Sequence, residues 1–327
     1  MMTRKTLTLI ALAALAFTLI LSACGGQGEP GGAGGPGDAG APQGAGAAVP
    51  SDEGRSVTVT DMTGRTVTLE RPAEKVVALT ASSCEVVYAL GAGPAVVGRG
   101  EYCDWPAEAL EVEALQSGTE TNVEQIVARA PDLVLMETMG QNPEQVKQLE
   151  EADIAVYASQ ATDIAETYES ILQIGTLLGR DAEAEELVGQ MRATFDELSS
   201  QKVEGTVYFE VSPLEYGLWI AGSGTFMNEV AELIGLENIF SDVEGWAEVS
   251  EEQVLERDPG CIVTIAMYFG EGPLPADEIR ARPSWQDVTA VRDGRILNLA
   301  DNELSRPGPR LADGARALYD FVRGDDG

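Results

Sequence analysis

Histidine is absent from all 327 residues. That absence excludes imidazole metal sites, histidine-ligated haem and every triad that needs a histidine base. Basic residues are scarce too: 21 Lys+Arg stand against 54 Asp+Glu, for a formal net charge of −33. A nucleic-acid partner needs a basic footprint, and this surface would repel phosphates. What the charge does supply is a well-solvated acidic exterior. The sequence has no Walker loop, no CxxC pair and no carboxylate cluster at metal-ligand spacing. Its apolar run at 7–21 is too short for a comfortable membrane span. Nothing here asks for an enzyme or for a resident cofactor.

What is present begins at the amino end. Residues 1–23 have the form of a signal peptide: a basic start at Arg4 and Lys5, an apolar run, and small residues before Cys24. Leu21-Ser22-Ala23-Cys24 looks like a bacterial lipobox, whose cysteine thiol receives diacylglycerol and becomes the mature amino terminus. Residues 24–54 are rich in glycine, proline and alanine without periodicity, a flexible tether with a reach of roughly 30 Å. The expectation is an extracytoplasmic body held at the cell membrane by lipidated Cys24 alone.

A second stretch organises the remainder. Across 163–202, apolar residues recur at helical spacing (Ile171, Ile174, Leu178, then Leu187, Met191, Phe195, Leu198) with no proline, which predicts a helical segment broken near Gly179. At ~1.5 Å per residue its second half alone is about 30 Å long. On either side lies a block of short alternating strands and helices. In 55–162 a hairpin is predicted at 57–60 and 66–69. Strands follow at 76–79, 96–98, 133–136 and 154–157, with helices at 82–90, between Asn122 and Pro131, and at 144–152. In 203–327 extended segments are predicted at 206–211, 218–221, 262–266 and 295–299, and helices at 225–234, 251–257 and 310–322. Glu124-Gln125-Ile126-Val127-Ala128-Arg129-Ala130-Pro131 in the first block is echoed by Glu252-Gln253-Val254-Leu255-Glu256-Arg257-Asp258-Pro259 in the second. The fold class is therefore α/β: two Rossmann-like lobes with mostly parallel sheets, joined by a single long backbone helix, with ligands expected at the carboxyl ends of the strands.

Loops leaving those ends carry the candidates. In Gly100-Glu101-Tyr102-Cys103-Asp104-Trp105-Pro106, Tyr102 lies nearer the strand end and reads as a stacking face for a large flat ligand, while Trp105 reads as packing against its lobe. Trp246, shortly before the helix capped by Ser250, is either an opposing face or core. Arg306 and Arg310, with prolines fixing the backbone between them, either face an anionic or amide-rich ligand or pair with the chain's many acids. Glu124 and Glu252 each stand in a first helical turn, where a carboxylate gains about 0.3 kcal/mol from the helix dipole. As a matched pair they also suggest a docking surface for a two-fold partner bearing arginines. Cys84 and Cys103 follow neighbouring strands and are either a disulfide or two buried free thiols. Cys261 begins a strand and reads as core.

Several of these motifs occur together in a known family. The run Val76-Val77-Ala78-Leu79-Thr80-Ala81-Ser82-Ser83-Cys84-Glu85, then Leu90-Gly91-Ala92-Gly93, the Tyr102 loop, Asn122-Val123-Glu124-Gln125-Ile126 with Pro131-Asp132-Leu133-Val134, and Ser250-Glu251-Glu252-Gln253-Val254-Leu255 resemble the substrate-binding proteins of ABC importers for cobalamin and ferric siderophores. The likeness runs over about 57–322. It implies the class III periplasmic-binding-protein fold, a cleft that closes only slightly, and delivery of ligand to a permease dimer with a cytoplasmic ATPase. It places the docking acids at Glu124 and Glu252, a corrin-stacking tyrosine at Tyr102, a tryptophan at Trp246 and an arginine at Arg306. Gly118 departs from the pattern: six residues before the first docking acid, cobalamin receptors can carry tryptophan and hydroxamate receptors arginine.

The resulting expectation is a membrane-tethered, monomeric receptor that holds a corrinoid, or alternatively a ferric siderophore, with Thr80, Ser82, Ser83, Tyr102, Trp246 and Arg306. Glu124 and Glu252 set it on the permease. An α/β surface enzyme or cofactor scaffold built on Cys84 and Cys103 is the remaining alternative.

Overall fold

Alternating valine and threonine build the first elements. β1 (Val57–Thr60) and β2 (Thr66–Leu69) pair antiparallel, with Val57 opposite Leu69 and Thr60 opposite Thr66. Asp61 turns the hairpin. Its buried carboxylate accepts from the amides of Thr63 and Arg65 at 3.0 and 2.9 Å, from the Arg65 guanidinium at 2.6 Å and from the Ala158 amide at 3.3 Å. Burial alone would raise this carboxyl, but the bonds from Thr63 and Arg65 outweigh it and hold the group below the usual carboxylate range. The computed structural model describes residues 56–118, 121–137, 143–265, 272–299 and 302–324, all within the unit Ser51–Gly327. Cys24, its leader and the tether lie outside the described residues, as does the end of the strand expected at 262–266.

The first lobe is a βαβ series: β3 (Val76–Ala78), α1 (Ala81–Ala89), β4 (Val96–Gly100), β5 (Ala114–Leu115), α2 (Val123–Val127), β6 (Leu133–Glu137), α3 (Pro143–Glu151) and β7 (Ala155–Ser159). Its sheet is parallel throughout, in the order β5-β4-β3-β6-β7. Elements cover both faces, so β3 and most of β6 are continuous buried apolar runs rather than alternating ones. Where β4 passes the end of β3, a Cβ at Gly100 would lie 2.1 Å from the Leu79 carbonyl oxygen, and only glycine fits.

Two helices follow. α4 (Ile164–Leu178) is capped by Asp163, whose side chain accepts from the Glu166 amide at 2.7 Å, and it stops at Gly179 in the left-handed region (φ 64°). α5 (Asp181–Ser200) is the long backbone helix. Its buried stripe, Ala184, Val188, Met191, Phe195 and Leu198, belongs to a core cluster that runs through both lobes. Each large side chain buried there contributes on the order of 2 kcal/mol.

The second lobe comprises β8 (Thr206–Glu210), β9 (Leu218–Ala221), α6 (Phe226–Ile234), β10 (Glu237–Asn238), β11 (Trp246–Val249), α7 (Glu251–Arg257), β12 (Cys261–Thr264), α8 (Pro275–Ala281), α9 (Thr289–Arg292), β13 (Ile296–Asn298) and α10 (Leu311–Arg323). Its sheet runs β11-β9-β8-β12-β13, with β10 on β8. β9 is antiparallel to β8, and β11 to β9. Four of these elements are absent from the sequence reading. β10 is two residues long, β11 pairs as an exposed edge strand where only a loop before a helix is expected, and α8 and α9 are short, at seven and four residues.

The echoed motif is a true structural repeat. Asn122 caps α2 by accepting from the Gln125 amide at 3.1 Å, and Ser250 caps α7 in a complete capping box with Gln253. Ile126 and Val254 are both fully buried. Each helix then leaves through a residue of positive φ directly before its proline, Ala130 (47°) and Asp258 (41°).

Candidate ligand-binding site

Every strand of the first sheet ends on one cavity. Leu79 to Ser82 follow β3, Tyr102 follows β4, Ser117 and Gly118 follow β5, Glu137 ends β6, and Ser159 to Thr162 end and follow β7. From the second lobe, Phe226, Trp246 and Ser305 to Pro307 close the other side. The enclosed volume is 560 Å³ and open at its mouth, within the roughly 300–1,000 Å³ of small-molecule sites. A larger groove of 770 Å³ lies at the α4–α5 turn. It has no aromatic in its lining, and its arginines are already paired, Arg71 with Glu74 and Arg180 with Glu183. We therefore place the ligand site between the lobes, where strand ends and aromatic faces coincide.

Local sequence explains how each side chain is presented. Thr80 caps α1 and donates to the Ser83 hydroxyl at 2.8 Å while accepting from the Ser83 amide. Ser83 is thereby buried and does not line the cavity: helical phase turns it inward, so it supports Thr80 instead of meeting a ligand. Ser82, one residue earlier, does face the cavity and donates to Glu137 at 3.1 Å. Tyr102 is 59% and Trp246 41% exposed, leaving ring surface from each lobe free to be covered by a ligand. Phe226, at the first turn of α6, meets Trp246 edge-on with centroids 5.8 Å apart and fixes its orientation.

The two arginines are committed across the lobe boundary. Arg306 donates to Glu85 at 2.9 Å, to Asp104 at 2.7 Å and to the Tyr102 carbonyl at 3.3 Å. Arg310 donates to both oxygens of Glu85, at 3.1 and 2.8 Å, and its guanidinium lies 4.4 Å over the Trp105 ring. Burial would lower the Arg306 guanidinium, but Asp104 and Glu85 hold it protonated. Arg306 lines the cavity and Arg310 does not, so the arginine pair acts first as a clamp between lobes. Trp105, expected as lobe packing, is 44% exposed and serves this clamp.

Sequence reasoning missed Glu137 and Phe226. Burial pushes the Glu137 carboxyl up, partly offset by the bond from Ser82. A carboxylate closing an apolar strand that points at a binding face was the available signal. Gly118 lines the cavity with φ 81°, and nothing lies within 4 Å of where its Cβ would be. It stands six positions before Glu124, as Trp246 stands six before Glu252, so the two are equivalent points of the repeat on opposite walls. Glu124 and Glu252 are both exposed, and among the described residues neither has an ion-pair partner. The backbone amide at the start of α7 and the Ser250 hydroxyl hold Glu252 low.

Cys84 and Cys103 are free buried thiols in contact with each other, and Cys103 also donates to the Ala78 and Thr80 carbonyls. The hydrogen bond that Cys84 makes to Cys103, together with burial, pushes the Cys84 thiol well up, and burial pushes Cys261 to about 12. Buried protonated thiols are poor nucleophiles and ligands, which removes the support for an enzyme or scaffold built on them. Among the described residues no cluster of His, Cys, Asp or Glu could hold a metal ion, and no helix is long and apolar enough to cross a membrane.

Residues 76–303 match the periplasmic binding protein family. The chain belongs to that family. It is 31% identical over 278 residues to the uncharacterized ABC transporter substrate-binding lipoprotein YvrC of Bacillus subtilis, covering 82% of this chain and 86% of that protein. Among solved structures it is similar to the periplasmic vitamin B12 binding protein BtuF of Vibrio cholerae, with a TM-score of 0.63, 26% identity and coverage of 77% of this chain and 97% of that one. It is also similar to an ABC-type Fe3+-hydroxamate transport system from Saccharomonospora viridis, with a TM-score of 0.67, 27% identity and coverage of 81% and 98%. These relatives bind and transport, so this periplasmic binding protein is not an enzyme, and its two-lobed α/β architecture is theirs.

Proposed function

We propose that this periplasmic binding protein is the substrate-binding component of an ABC importer, and that it captures a corrinoid between its lobes outside the cytoplasm. The observation that carries the ligand assignment is a cavity with one exposed aromatic from each lobe, Tyr102 and Trp246, and hydroxyl and amide groups between them. Stacking faces of that kind suit a broad planar macrocycle, and small polar groups suit its amide periphery. The vitamin B12-binding relative supports the same reading. In this account the corrinoid is cargo and the protein has no cofactor of its own. Glu124 and Glu252 meet basic residues of a permease dimer with its ATPase, and one copy of the chain, anchored through lipidated Cys24, serves each transporter.

A ferric hydroxamate siderophore is the second reading, favoured by the Saccharomonospora relative. The absence of histidine counts against haem. Titration of the purified chain with cyanocobalamin and, in parallel, a neutral ferric trihydroxamate separates the two. Saturable tryptophan quenching by cyanocobalamin at micromolar concentration or below is expected. Response to the iron complex alone would transfer the assignment to the siderophore.

A further inference from the structure

Two charged side chains line the described cavity, Arg306 and Glu137. Arg306 already faces Glu85, Asp104 and the Tyr102 carbonyl. Glu137 is different: among the described residues its one hydrogen-bond partner is the Ser82 hydroxyl, and no cation pairs with it. Glu137 also borders an adjoining groove lined by Arg65 and Lys147, but neither cation pairs with it: Arg65 is bound to Asp61 and Glu150, and Lys147 lies 3.6 Å from Glu151. The stretches at 119–120, 138–142, 266–271 and 300–301 contain no lysine or arginine. Among the described residues, the cleft therefore holds one partly buried carboxylate with spare acceptor capacity and no cation paired with it.

A charge so placed repels an anion and is satisfied by donors. We infer that Glu137 is the specificity-determining residue of the cleft: it accepts hydrogen bonds from N–H groups of an uncharged, amide-bearing ligand and excludes ligands that present a carboxylate or catecholate at that wall. The inference deepens the corrinoid assignment, on which it rests for its first probe.

The test compares cyanocobalamin with its monocarboxylate derivative, in which a single side-chain amide is hydrolysed to an acid, on the intact chain. Wild type is expected to prefer the amide by about tenfold. Glu137→Gln should narrow the preference to about twofold or less, by weakening the amide ligand and improving the acid. Glu137→Asp, which keeps the charge, should retain it. Equal binding of both ligands by wild type, or an undiminished preference in Glu137→Gln, overturns the inference while leaving the corrinoid assignment standing. The wild-type comparison holds even if a variant fails to fold. If wild type ignores cyanocobalamin, the assignment fails and the same comparison runs with a neutral ferric trihydroxamate against an anionic ferric catecholate. A preference for the neutral complex that Glu137→Gln abolishes sustains Glu137 in its role. No preference, or no binding of either, ends it.

Discussion

Glu85→Ala is expected to lower the free energy of unfolding by about 4 kcal/mol and to speed ligand release by about tenfold. Glu85 is 2% exposed and receives two guanidinium groups from the opposite lobe, which are themselves 12% and 11% exposed. Removing the carboxylate leaves buried Arg310 without a carboxylate partner and Arg306 with only the half-exposed Asp104, and the loss is mostly the penalty of that uncompensated charge rather than the value of the pair. Asp104→Ala is the internal control. Asp104 touches the same Arg306 at 2.7 Å but is 48% exposed, so its loss should cost under about 1 kcal/mol. Urea unfolding and stopped-flow ligand release measure both quantities. Equal costs for the two variants would mean that burial does not set the strength of the clamp.

Charge reversal at both Glu124 and Glu252 is expected to reduce transport by at least about a hundredfold with ligand affinity changed by less than about twofold. The acids stand at equivalent points of the repeat, exposed, on helices that begin within a few residues of the cavity wall. Each substitution replaces an attraction to a basic partner by a repulsion, and the ligand cavity, which neither residue lines, is untouched. Uptake by vesicles containing the cognate permease, alongside a titration of the free chain, gives both numbers. Undiminished uptake by the double variant would remove these acids from docking.

Local signals carried most of the fold. The helix break at Gly179, the caps at Asn122 and Ser250 and the buried runs of β3 and β6 depend on residues within a few positions of one another, and each is found where the sequence places it. The repeat was legible because two copies of one motif make the same turn, through Ala130 and Asp258. Tertiary choices were not legible. Glu85 meets arginines more than two hundred residues away, so nothing near Arg306 or Arg310 distinguishes a ligand contact from a clamp. Ser82 and Ser83 differ by one helical step, and that step decides which faces the cavity. β11 is only four residues long, with Ala247 and Val249 turned to the core and Trp246 and Glu248 exposed, too short a run to stand out in sequence, and β9 holds it as an edge. Glu137 reads in sequence as the polar end of a strand, and only the convergence of five strand ends makes it part of a binding wall.

The most direct measurement is the crystal structure of the chain grown with cyanocobalamin. The corrin is expected between the rings of Tyr102 and Trp246, with a side-chain amide within hydrogen-bond distance of Glu137. A ligand seated elsewhere, or an empty cleft at saturating corrinoid, would contradict that placement.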